Sequence, residues 1–378
     1  MGLNLAAFIP NLFAFLFFVV LVGLFIYQSQ NQNRPVGYVL TSMIMGSFTT
    51  LGVLIWSTLE DKESEIAWIL RSCYLIISGI QFLFFFFFIE NSNSLKPSRT
   101  NVVIITILLG SQILGMIAFN IFYQPGVTEN LKFLNFFKLL GRIGYNGLGV
   151  FIFGVLSLPI YYRMYKYTKE TRAIILFTAA ALIAGGYFIT FIFDIFFIYN
   201  EGLFVSGSFL RTMLDIGNNV PMIGLGTFAI LYAFNLEYIY RLPFDHYVMV
   251  VAYRSGLNIL SVPFETKHKE IGIQEQLFTG MLTAINGIYT HVFESEKLIE
   301  TIASKDLSIV MDNGKYISVI VATEHPSGIL KRGMKLFVKK FEATFAGALE
   351  RKEKDVMYFE SAKNIFNRIF PFLESTKE

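Results

Sequence analysis

The chain of 378 residues carries one cysteine, Cys73, so no internal disulfide framework can hold it together. Charge is scarce: Asp, Glu, Lys and Arg make up 16% of the residues, and a net charge of +3 gives no electrostatic footprint for nucleic acid. The four histidines, His246, His268, His291 and His325, lack metal-ligand spacing, and no Cys/His cluster suggests zinc. No serine, cysteine or histidine stands in a nucleophile motif, and there is no glycine-rich phosphate loop. These absences predict a protein that is not an enzyme and that holds no metal and no cofactor.

Apolar residues are what the chain has in excess: 54% of the total, with 41 Phe. They concentrate in seven stretches, near residues 5–27, 36–57, 66–89, 102–123, 136–161, 173–199 and 208–235. Each reaches the ~20 residues that cross ~30 Å of hydrocarbon. Only a helix satisfies the backbone of an isolated segment in lipid, so seven transmembrane helices are expected over residues 1–240, with the lipid bilayer as their partner. Met1–Asn4 supplies no basic n-region, and the first run is longer than a signal-peptide core, which predicts a retained helix. Ala6 occupies the position where myristoylation requires Ser or Thr.

Short-loop Lys and Arg set the orientation. Loops one, three and five carry Arg34, Lys96, Arg99, Arg163, Lys166, Lys169 and Arg172; loops two, four and six carry only Lys62 and Lys132. This asymmetry predicts an outside N-terminus and a cytoplasmic C-terminus in a multi-pass plasma-membrane protein. Trp56 and Trp68 then fall at the outer water interface, and Cys73, inside span three, is expected to be a small packing residue.

Ionisable groups inside spans are costly and are functional candidates by default. Arg71 in span three, Arg142 in span five, Asp194 in span six, and Arg211 and Asp215 in span seven all fall in the outer half, with Asn146, Asn218 and Asn219 deeper. Together they predict a polar chamber open to the outside, able to hold a small polar or anionic extracellular ligand through guanidinium forks. The competing reading is an ion-pair and hydrogen-bond network that only fixes helix packing. Arg211 and Asp215, spaced i,i+4, suit that structural role; Arg71 and Arg142 have no carboxylate close in sequence and are the better ligand candidates. Span seven contains no lysine, which argues against a retinal Schiff base, and its Pro221 predicts a kink or simple curvature.

From Tyr247 the periodicity becomes strand-like. Tyr247–Tyr253 and Leu257–Phe264 flank a hairpin at Arg254-Ser255-Gly256; a helix follows with Leu277, Met281, Ala284, Ile285, Ile288 and Val292 on one face. Leu298–Ala303, Leu307–Met311 and Tyr316–Ala322 read as three more strands, the last two joined by a narrow positive-φ turn at Asp312-Asn313-Gly314. Two helices close the chain, one with Leu330, Met334, Phe337, Phe341 and Phe345 on its apolar face, the other near residues 354–372, ending at Pro371. Lys331, Arg332, Lys335, Lys339 and Lys340 give the first of these a basic flank for anionic headgroups or a partner, or merely a solvated face. Residues 241–246 form a short linker stiffened by Pro243, so movement of span seven would reach the sheet directly.

The β-β-α-β-β-β-α-α order over residues 247–378, with YVMVVAYRSGLNILSVPF, LFTGMLTAINGIYTHVF and LSIVMDNGKYISVIVAT, resembles a longin domain of the longin/roadblock superfamily. The fold class this implies is an all-α seven-helix transmembrane bundle followed by an α+β longin-like domain with a five-stranded antiparallel sheet. The membrane part resembles the N-terminal seven-helix sensor region of prokaryotic histidine kinases, through its helix count, its acidic second loop and its direct fusion to an intracellular module. No phospho-acceptor helix or ATP lid follows it. The resemblance implies a receptor-like sensor whose longin-like platform binds a cytosolic protein, a small GTPase being the partner such scaffolds suggest. A transporter or channel with a regulatory tail is the alternative, and a passive anchor the third reading.

Overall fold

A computed structural model describes residues 5–32, 37–59, 61, 64–123, 131–168, 170–199, 207–234, 246–263, 279–285, 287, 299–304, 307–324, 326–353 and 355–370. The chain divides into two units, one of Met1–Glu90 with Pro97–Ile239, the other of Asn91–Lys96 with Tyr240–Glu378. Arg34, Lys62, Lys169, the linker residues 241–245, His268, His291, His325 and Pro371 lie outside the described residues.

The first unit consists of α1 (Leu5–Gln32), α2 (Gly37–Thr58), α3 (Glu65–Asn93), α4 (Arg99–Phe122), α5 (Leu131–Gly149), α6 (Leu158–Thr168), α7 (Thr171–Tyr199) and α8 (Gly207–Phe234). Among the described residues, six helical segments are long and apolar enough to cross a bilayer: Gly37–Thr58, Glu65–Asn93, Arg99–Phe122, Phe133–Lys166, Thr171–Phe196 and Thr212–Phe234. The seven expected spans thus become six plus a shorter apolar segment, Asn11–Tyr27, within α1. That segment lies within the 28 residues of α1, which continue beyond it at both ends.

The helices approach closely where side chains are absent. A Cβ on Gly115 of α4 would strike the backbone of Gly141 in α5, and one on Gly186 of α7 would strike the Pro221 ring in α8. Lipid offers no hydrophobic drive between helices, so such small-residue contacts carry the packing. Several hydroxyls are satisfied within their own helices: Thr41, Thr49, Thr190 and Thr227 each donate to the carbonyl four residues back, at 2.8–3.0 Å.

Between α5 and α6 the rod continues as a π-helical stretch, Val150–Ser157, in which Leu158 N–H donates to the Phe153 carbonyl five residues back and Ser157 Oγ donates to the Ile152 carbonyl at 2.7 Å. Pro159 follows at once. Its ring would collide with a carbonyl four residues back and it has no N–H to give, so the wider turn lets the helix pass without a break.

The second unit holds a five-stranded antiparallel sheet of β1 (His246–Tyr253), β2 (Asn258–Pro263), β3 (Thr301–Ala303), β4 (Ser308–Asn313) and β5 (Ile317–Thr323), in the order β2-β1-β5-β4-β3. The central strands read as nearly unbroken apolar runs because both their faces are covered. Val248, Val250, Ile309, Met311, Ile320 and Ala322 pack on Leu282 of α9 (residues 279–285), while α10 (Gly328–Thr344) lies on β4 and β5. Met281 and Ala284 are exposed, and Thr279 and Leu282 are buried instead, so the apolar face of α9 is rotated from the expected one. Leu277, Ile288 and Val292 lie outside the described residues.

The β1–β2 hairpin turns as expected: Gly256 has φ +90° and its N–H donates to the Tyr253 carbonyl at 2.8 Å. The β4–β5 hairpin does not. Asp312 and Asn313 stay in the ladder opposite Val319 and Ser318, and Gly256 is the one described glycine with positive φ. Gly314 is required for a different reason, since a Cβ there would strike Glu342 and Val338 of α10. Glu342 Oε1 accepts the Tyr316 N–H at 2.7 Å and so holds the wider turn.

α10 begins at Ser327, whose Oγ accepts the Leu330 N–H at 3.1 Å. In the same unit the Ser94 carbonyl accepts the Gly328 N–H at 3.0 Å. Leu330, Met334, Phe337 and Phe341 are buried as the periodicity predicts. A short α11 (Ala346–Glu350) follows α10, and the final helix expected near residues 354–372 is a 3-10 turn at Val356–Phe359 followed by α12 (Ala362–Ile369). Lys352, at φ 54°, marks the break after α11.

Candidate functional site

Four of the polar residues singled out in the spans come together at the end of the first unit where α3 begins and α7 ends. Arg142 of α5 forms an ion pair with Asp194 of α7. Asn146, one turn further along α5, donates from Nδ2 to the other Asp194 oxygen at 2.9 Å. Asp194 is 1% exposed, so both its oxygens are satisfied by α5. Arg142 therefore has a carboxylate after all, supplied by a helix distant in sequence.

Arg71 of α3 is placed differently. Its guanidinium carbon lies 5.2 Å from the Trp68 ring centre and 5.8 Å from that of Trp56, and it interacts with the Tyr74 hydroxyl. Lys138 of α5 sets its ammonium 4.7 Å from the same Trp68 ring and 6.0 Å from Phe119. Two cations thus share one indole, an arrangement favoured by the ring quadrupole. Trp68 is not a lipid-facing interfacial residue as expected; it is buried with Phe119 and Leu134, against Tyr123 and Phe137. Its Nε1–H is buried without an acceptor among the described residues. Such a buried donor costs about 1–3 kcal/mol until something accepts from it.

Lys138 is the residue that sequence reasoning misses. The signal is its spacing, since Lys138, Arg142 and Asn146 recur every four residues and line one stripe of α5. Both Arg71 and Lys138 act electrostatically on Asp194. The side chains of Asn218 and Asn219 are exposed on α8. The side chains of Arg211 and Asp215 lie outside the described ones. Cys73 is exposed on α3 rather than packed inside.

Deeper in the bundle the polar groups pair with each other. Tyr145 hydroxyl lies 3.1 Å from Ser78 Oγ and 3.0 Å from the Tyr187 hydroxyl, and Tyr161 and Tyr232 hydroxyls are 2.7 Å apart. A separate cavity of about 40 Å³, bordered by Phe82, Phe153, Phe228 and Tyr232, includes none of the cluster residues.

In the second unit the basic flank of α10 is partly neutralised. Lys331 pairs with Glu300 and holds its carboxyl below the usual range by hydrogen bond and charge. Half-burial raises Asp312, against the pull of Lys335 and Lys331. Lys335 and Lys339 are exposed, Lys340 is half-buried, and Arg332 Nε reaches the Gly328 carbonyl at 3.3 Å. A hollow of about 260 Å³ on the sheet is lined by Tyr253, Arg254, Thr283, Asn313 and Ser318. No group of His, Cys, Asp and Glu among the described residues is arranged to hold a metal ion.

Comparison with protein-family models, with curated proteins and with solved structures finds no match. What the fold and the cluster define is a multi-pass helical membrane protein carrying an α+β domain outside the membrane.

Proposed function

We propose that this protein is a receptor-like sensor of the plasma membrane, which binds a small anionic ligand at the outer end of its helical unit and presents a cytosolic longin-like platform to a protein partner. On this reading α1 completes a seventh crossing, so the N-terminus lies outside and the second unit inside. The observation that carries it is the convergence of Arg71, Lys138, Arg142, Asn146 and Asp194 from three spanning helices at one end of the helical unit. Ionisable groups gathered inside spans are costly and mark ligand or ion sites by default. Guanidinium and ammonium groups beside apolar walls suit an anion.

The five-stranded order and the two covered sheet faces support the longin-like reading, and with it a small GTPase as partner. The full chain in nanodiscs should show a raised unfolding temperature with a small anion, and capture of a GTPase in one nucleotide state should change when that anion is added. Anion-dependent solute flux into proteoliposomes, with no partner captured, would instead make the protein a transporter.

A further inference from the structure

The basic flank of α10 begins at the turn that joins two spanning helices. Gly328, Arg332, Lys335 and Lys339 recur at i, i+4, i+7 and i+11, the spacing that stacks side chains along one face of a helix. Leu330, Met334, Phe337 and Phe341 are buried on the opposite side, while Arg332, Lys335 and Lys339 are exposed. Lys331 stands at the edge of the stripe and is engaged by Glu300.

Within the second unit, residues 91–96 lie against the start of this flank. The Ser94 carbonyl accepts the Gly328 N–H at 3.0 Å, and a Cβ on Gly328, projecting sideways from the helix, would strike Asn91 Oδ1. The segment therefore runs beside α10 on its basic side. Its exposed Lys96 acts on Glu300 together with Lys331 and Lys335. The same segment leaves α3 and leads into α4, both long and apolar enough to span. So short a connection stays at the bilayer surface, and Glu90 closes it by accepting the Ser98 N–H at 2.9 Å and Asn101 Nδ2 at 2.6 Å. We propose that Lys96, Arg332, Lys335 and Lys339 form a surface that binds the headgroups of anionic lipid.

Charge and place together favour lipid over a soluble partner. The turn already fixes the flank at headgroup level, so contact costs little further ordering. Each Lys or Arg held within a Debye length of an anionic surface, about 8 Å at physiological salt, favours contact about fivefold. The inference needs the spans and the second unit only, and it stands or falls apart from the receptor reading.

Cys73 is the one cysteine, so Cys73→Ser with Ala343→Cys leaves a single labelling position, exposed and one turn beyond Lys339. The full chain, carrying an uncharged fluorophore there, would be placed in nanodiscs of phosphatidylcholine alone or mixed with phosphatidylserine. A zwitterionic lipid in both discs carries a quencher on its headgroup. Quenching should deepen with phosphatidylserine and return to the phosphatidylcholine level in ~1 M salt, where the Debye length is about 3 Å. Lys335→Gln with Lys339→Gln should remove most of the gain. Lys335→Arg with Lys339→Arg should keep it, which separates charge from damage to α10. Lys340→Gln, off the stripe, should change little.

Equal quenching in both discs, or a gain that survives both salt and the paired Gln variant, would overturn the headgroup surface. If the paired Gln variant instead lost capture of a protein partner in phosphatidylcholine discs, with quenching unmoved by phosphatidylserine, the flank would serve that protein and the lipid proposal would fall. None of these readouts involves an anion at the Arg71 end of the helical unit.

Discussion

The two units use the same residue types in opposite ways. In the helical unit Phe13, Ile107, Ile121 and Ile223 are each more than 60% exposed, while Asp194 is 1% exposed. In the sheet unit Val250 and Val319 are fully buried, and Lys335 and Lys339 face outward. The difference lies in the solvent each surface meets. Water drives apolar side chains together in the sheet unit, so its core is Phe, Val and Met. Lipid gives no such drive, and the helical unit is held by glycine contacts, ring packing and polar bonds across helices.

That contrast makes the two units break differently. Phe337→Ala, at a fully buried position of α10 beside Phe341, should cost about 3–5 kcal/mol. Hydrogen exchange should accelerate across β4, β5 and α10 and leave α7 and α8 unchanged; equal loss in both units would remove the comparison. Asp194→Leu is the counterpart in the helical unit. It strands Arg142 and Asn146, and a broken buried pair costs about 3 kcal/mol. The double replacement of Arg142 and Asp194 by Leu should recover much of the unfolding temperature, which a site built for ligand binding permits and a packing-critical network does not.

How much of this was legible depended on what the residues had to meet. Hydropathy placed the spans, because the length of an apolar run reports the solvent directly. It could not say which face of α3 turns inward, so Trp68 and Cys73 exchanged their expected roles. Arg142 finding Asp194 needs the fold, since the two are 52 residues apart. The Arg254-Ser255-Gly256 turn was readable because positive φ is a local demand. The β4–β5 turn was not, for the constraint on Gly314 comes from Glu342 on a later helix. The π-helical stretch left only Pro159 as its trace.

Smaller effects sharpen the comparison within the sheet unit. Ser327→Ala removes the cap of α10 and should cost about 1 kcal/mol, seen as faster exchange confined to the first turn of that helix. An equal acceleration along its whole length would mean that the cap supports the helix as a unit.

The smallest expected effect concerns two carboxylates near Lys331 that are shifted in opposite directions. Glu300 is held below its usual range by Lys331, so its contribution is present above the ordinary glutamate pKa of about 4.3 and fades as pH falls through the lowered value. Its side chain is 68% exposed, which limits the pair to about 0.5 kcal/mol or less. Asp312 is raised, mainly by burial, so its ionised form opposes folding above that raised value and the penalty fades on acidification toward about 3.9. Glu300→Gln should therefore lower the unfolding temperature of the sheet unit slightly at neutral pH, while Asp312→Asn should raise it. Both differences should shrink in acid, and salt should erase the first before the second, because exposed pairs are screened and partial burial is not. Two carboxylates moving together with pH and salt would show that Lys331 and Lys335, rather than burial, govern Asp312.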